Sequence, residues 1–199
     1  MIRLKNIAAF CAALTVGVTS STVQAAGGAG QSARRPRPSE ILRDVQAVGA
    51  KATLNELYRD DEKWTTLLRG IAGGTPEWFA VAETLRPAAD AHPAELLEAA
   101  VGEALRTNAQ LILSHATGPF LLAAVCKSPD VDDERFDSLR TALAELNRRI
   151  RGVERVEDPA LAHVRTDCLD ALRGSETELR RYFEKQEESA GRSGARGNQ

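Results

Sequence analysis

Three histidines, His92, His115 and His163, are spread along the chain, and none is followed by another histidine four residues later. Zinc hydrolysis on a helix needs a His-Glu-x-x-His pair, so its ligands are missing. His163 and Asp167 are four apart on one predicted helix, with no nucleophile beside them; a surface hydrogen bond is expected. Asp90-Ala91-His92 reads as a helix start. No Gly-x-Ser-x-Gly elbow occurs, and Gly70-x-x-Gly73-Gly74 lacks the Lys-Ser/Thr of a phosphate loop. Carboxylates cluster at Asp60-Asp61, Asp132-Asp133-Glu134 and Glu187-Glu188, in turns or near the end of the chain. A glycosidic general acid needs burial to raise its pKa, so these are poor candidates. Glu95, Glu98 and Glu103 read as a solvated helix face. So do Arg148, Arg149, Arg151 and Arg155, interleaved with Glu145, Glu154 and Glu157. The reading gives no catalytic residue, no metal ligands and no cofactor. Trp64 and Trp78 are candidate partner contacts, since tryptophan anchors many interfaces. Their positions also match the apolar faces of their helices, which favours the core.

The cysteines carry the firmest structural expectation, and it depends on compartment. Met1 to Ala25 has the layout of a secretory signal: Arg3 and Lys5, an apolar run from Ile7 to Val18, then small residues with Val23 and Ala25 before a cut. The run is shorter than the ~20 residues a bilayer needs. Cys11 lies inside it without the small residues that precede a lipoprotein cysteine. Cleavage leaves Cys126 and Cys168, an even count that in an oxidising compartment predicts one disulfide; two buried free thiols are the alternative. The expected location is the periplasm.

The whole chain has 199 residues, with 26 Lys+Arg against 28 Asp+Glu and 43% apolar residues. That is globular composition, too apolar for a disordered chain. A net charge of -2 lacks the basic surplus of a nucleic-acid binder. No membrane span is expected in the mature form.

Helical periodicity runs through a single all-α domain at 39–188. It is preceded by a Pro/Arg linker at 26–38, with Arg34, Arg35 and Arg37, and followed by an unstructured tail at 189–199. Ser39 is the expected cap of the first helix, and Gly49 permits a break. Asp60 or Asp61 caps a helix carrying Trp64, Leu67, Leu68 and Ile71, which Gly73-Gly74 ends. Thr75-Pro76-Glu77 restarts the chain, Asp90 to Pro93 opens another helix, and Asn108 caps the next. After Gly118-Pro119, Phe120 to Cys126 forms a short apolar turn. Then Phe136, Leu139, Leu143, Leu146, Ile150 and Val153 make a seam at alternating spacings of three and four. Asp158-Pro159 caps a last long helix with Cys168 on its apolar face, which Gly174-Ser175 is expected to kink. These two helices are expected to form an antiparallel hairpin stapled to the body through Cys126.

Leu67-Leu68 with Ile71, Leu96-Leu97 with Ala100, and Leu121-Leu122 with Val125 share one pattern. On these residues the stretch 52–126 resembles HEAT-like αα-repeat proteins. The resemblance implies an irregular αα-repeat bundle with a protein-binding surface. The functional expectation is a non-enzymatic, exported protein-binding module: an adaptor, an inhibitor or an immunity-type protein. Two alternatives stay open. One is a small envelope enzyme on peptidoglycan, since one buried Glu suffices in helical lysozyme-like folds. The other is a periplasmic chaperone, which needs an exposed apolar face.

Overall fold

Glycine, proline and short polar side chains set the helix boundaries. A computed structural model describes residues 35–116, 118–131 and 133–196, with nothing stated of side chains beyond 189. The expected signal, Cys11 and the linker up to Arg34 lie outside the described residues. Pro38 opens α1 (Pro38–Val48) with Arg37 as N-cap. The backbone N–H of Arg37 donates to Glu40 Oε2 at 3.1 Å, so the boundary precedes the expected cap, Ser39. Proline suits this first position because its fixed φ is already helical. Gly49, at φ 87°, turns the chain between α1 and α2 (Ala50–Arg59). Asp60 then caps α3 (Asp61–Ala72), its Oδ1 accepting from Lys63 N at 3.0 Å.

Gly74 at φ 74° reverses the chain, and Pro76 starts α4 (Pro76–Leu85). Thr75 is the N-cap, but its hydroxyl makes no capping bond. The next long element, α5 (Ala91–Ser114), is two helical segments joined across a kink at Asn108, whose backbone is non-helical (φ -144°, ψ 60°). Asn108 Oδ1 accepts from Leu111 N at 3.3 Å, so it is the expected cap of the second segment. Its Nδ2 donates to Gly74 O at 3.0 Å, tying the bend to the α3–α4 turn. The short α6 (Leu122–Val125) ends at Cys126. Ser138 caps α7 (Leu139–Glu154), and Asp158 opens the turn into α8 (Ala162–Arg196).

Among the described residues there are eight α-helices and no strand. The fold is all-α, as the periodicity predicts. The helix α8 runs unbroken through Gly174-Ser175 and on to Arg196, past the expected kink and into the segment expected to be unstructured. Ser175 Oγ donates to Ala171 O at 3.0 Å, which satisfies the hydroxyl without breaking the helix.

The central element is α5, packed against α3, α4, α6 and α7; α7 also lies on α8. Leu67, Leu85, Leu97, Leu105, Leu146 and Leu172 are fully buried in one core. A Cβ on Gly152 of α7 would stand 2.0 Å from the Leu105 carbonyl oxygen of α5. Only glycine lets the two backbones approach so closely. Cys126 and Cys168 are joined, with Cα atoms 5.2 Å apart, tying the end of α6 to the buried face of α8. The three Leu-Leu pairs do not occupy equivalent sites. Leu67 and Leu97 are sealed in the core, whereas Leu121 is 68% exposed.

Candidate functional site

A cleft of about 730 Å³ opens between α3, α5 and the segment that follows Cys126. Thr65, Leu68 and Arg69 of α3 form one wall, and Leu96, Ala100, Glu103 and Arg106 of α5 form another. Residues from Lys127 to Val131 and from Asp133 to Phe136 close the third side, with Arg149 of α7 also in the lining.

Helical spacing puts the charged groups together. Glu103 and Arg106 stand one turn apart on α5, and Glu145, Arg148 and Arg149 share one turn of α7. Glu145 is fully buried and accepts from three arginines. Arg149 Nε donates to its Oε1 at 3.2 Å, Arg148 Nε to its Oε2 at 3.0 Å, and Arg106 Nη1 to both oxygens at 3.3 Å. Glu103, also buried, accepts from Arg135 Nη2 at 2.6 Å and Nη1 at 3.2 Å. Arg135 also forks onto Asp133, through Nε at 2.9 Å and Nη2 at 2.6 Å. Its guanidinium lies 5.2 Å from the centre of the Phe136 ring.

Arg149 has a side chain 2% exposed, and its Nη1 donates to the Lys127 carbonyl at 3.3 Å. Gly102 makes room beneath it: a Cβ there would stand 2.8 Å from Val125 O and 3.3 Å from Arg149 Nη1. Three neighbours of the cleft thus depend on each other: the disulfide at Cys126, the next carbonyl at Lys127, and the buried guanidinium.

The electrostatics follow from burial and pairing. Desolvation pushes the Glu145 carboxyl up, but Arg149, Arg148 and Arg106 outweigh it and hold the group below the usual carboxylate range. Burial pushes Arg149 down, opposed mainly by Glu145. Asp133 is lowered by its hydrogen bonds from Arg135. A general acid must be neutral near its working pH, and Glu145 is held in the opposite state.

The α7 segment expected to be a solvated charged face is therefore in part interior. Arg148, Arg151 and Arg155 are exposed, but Glu145 and Arg149 are buried, and so is Glu103 of the supposed α5 surface. Each buried carboxylate has at least one arginine reaching in from another element, Arg106 to Glu145 and Arg135 to Glu103, which no single helix displays. A signal was nonetheless present. Ala142, Glu145, Arg149 and Gly152 follow the three-four spacing one residue ahead of the seam, and the small residues at either end mark a packed stripe.

The other candidates fall outside the cleft. Trp64 is buried in the core, edge-on to Tyr58, and its Nε1 has no hydrogen-bond partner. Trp78 is half-buried, with its indole over Gly70, where a Cβ would stand 2.3 Å from Cε2. His163 and Asp167 form the expected surface pair at 2.9 Å. His115 Nδ1 lies 2.9 Å from Glu83 Oε1, with Phe79 edge-on to the imidazole. Among the described residues no cluster of three His, Cys, Asp or Glu is arranged to hold a metal ion, and no helix is long and apolar enough to cross a membrane. The chain matches no family model, no curated protein and no solved structure.

Proposed function

We propose that the protein is an exported, non-enzymatic binding module of the periplasm, of adaptor, inhibitor or immunity type, and that the cleft is its recognition site. The observation that carries this reading is the state of the buried charges. Glu145 is held as the anion by three arginines, and Glu103 is gripped by a fork from Arg135. Such a network fixes a surface in place without supplying a proton donor. Fixed, desolvated arginines are favoured at recognition sites because their planar forks are already ordered. A peptidoglycan hydrolase working through one buried neutral Glu gains nothing from this arrangement. Among the described residues the large exposed apolar side chains, Val48, Tyr58 and Leu121, sit on separate elements, whereas a chaperone needs a continuous apolar face.

The test is site-specific photocrosslinking in living cells. A photoreactive residue at Ala99, on the cleft wall, is expected to trap a discrete periplasmic partner, and the charge reversal Arg135→Glu to abolish the adduct. Cleavage of purified peptidoglycan that is lost in Glu103→Gln would overturn the proposal in favour of an enzyme.

A further inference from the structure

We propose that the cleft is a receptor for a single carboxylate carried on a short apolar moiety, the chemistry of the free C-terminal residue of a peptide. This rests on the binding-module reading and names what the site takes. The first argument is the unused capacity of Arg149. A guanidinium carries five N–H donors in a rigid fork. Nε is spent on Glu145 and Nη1 on Lys127 O. Among the described residues Nη2 makes no hydrogen bond, yet it is not sealed in: the one side-chain polar atom buried there without a partner is Trp64 Nε1. Nη2 therefore keeps donor capacity, on a residue that lines the cleft. A charge-assisted N–H donor of this kind makes a short, strong bond to a carboxylate oxygen.

The second argument is charge. Arg69, Arg106, Lys127, Arg135 and Arg149 line the cleft against four carboxylates. Beside Arg149, Glu145 and the half-exposed Arg148 cancel. Among the described lining residues one positive charge is left over, which suits a monoanion; a dianion would set its second charge against Glu103 and Asp133. The third argument is the rest of the lining. Leu68, Leu96, Val131 and Phe136 give an apolar wall beside the guanidinium, and the volume falls in the range of ~300–1,000 Å³ typical of small-ligand sites.

The experiment titrates the full mature chain, with its disulfide intact, and follows the Arg Nε–Hε correlations in 15N-labelled protein. N-acetyl-leucine is the probe, with N-acetyl-leucinamide and inorganic phosphate at matched ionic strength as comparisons. The acid is expected to shift the Arg149 resonance saturably, with the amide silent and phosphate weaker. Arg106→Gln, which removes a lining cation that is not fully buried, should weaken acid binding by about tenfold. Thermal melts followed by circular dichroism confirm that this variant is folded. Equal shifts from acid and amide, a stronger response to phosphate, or no shift at all would overturn the inference. A cleft crosslink to a periplasmic partner alongside a silent Arg149 would leave the module standing and remove only the carboxylate; losing both signals would remove both.

Discussion

Replacing Glu145 by alanine leaves the Arg149 guanidinium in place, 2% exposed, with its Nε acceptor gone. The other two arginines lose little, because Arg106 and Arg148 are 30% and 51% exposed and can turn to water. The cost is then essentially that of one stranded buried cation, about 3–5 kcal/mol. That is a large share of the ~5–15 kcal/mol by which domains are usually stable. Urea unfolding followed by circular dichroism reads it as a lower midpoint at unchanged slope. Glu145→Gln keeps an acceptor at nearly the same position and should cost less. Arg149→Met in the Glu145→Ala background should restore part of the loss, so that the two changes are strongly non-additive. The pH dependence has a definite sign. A carboxylate lowered on folding contributes stability above its unfolded value, near 4.5, and that contribution drains away as pH falls below it. The wild type should therefore lose more stability than Glu145→Gln on acidification below that point. A cost under about 1 kcal/mol for Glu145→Ala, or simple additivity with Arg149→Met, refutes the reasoning.

Three further outcomes test the frame around the cleft. Gly152→Ala puts a methyl 2.0 Å from the Leu105 carbonyl and should cost at least ~1–3 kcal/mol, read as a lower melting temperature. Cys126→Ser with Cys168→Ser opens a loop spanning 42 residues and should cost about 4 kcal/mol on the chain-entropy argument, measured as a shift in urea midpoint. It should also weaken the hold of Lys127 O on Arg149, visible as a moved Arg149 resonance. Trp64→Phe removes a buried N–H with no partner, so its penalty should stay below ~1.5 kcal/mol despite the lost area; a penalty of ~3–5 kcal/mol, usual for a large core truncation, would mean that the N–H is satisfied.

The helices were readable because their signals are local. Gly49, Asp60, Asn108 and Asp158 act on their own neighbours, and each marks a boundary or bend where the spacing places one. The seam on α7 was readable for the same reason. Two local signals were overridden by their own neighbours. Ser39 looked like a cap, but Pro38 had already fixed the helix start. Gly174-Ser175 looked like a kink, but helix on both sides carried it through. The cleft was hidden for a deeper reason. Its buried carboxylates are charge-balanced by a set drawn from α5, α7 and the chain after Cys126; Arg148 and Arg149 stand close to Glu145 in sequence, but the reach of Arg106 to Glu145 and of Arg135 to Glu103 is set only by the fold. Cys126 and Cys168 escape this limit, because covalent chemistry restricts the partners a cysteine can have.

The meeting of Gly152 with the Leu105 carbonyl has a meaning for ancestry as well as for packing. Where two main chains touch, the angle between α5 and α7 is written into a single hydrogen atom. A descendant that acquires any side chain at position 152 must pry these helices apart, and with them Arg106 from Glu145. Glycine at that position is thus a marker by which a distant cousin preserving the same geometry can be told from one that shares only the helical outline.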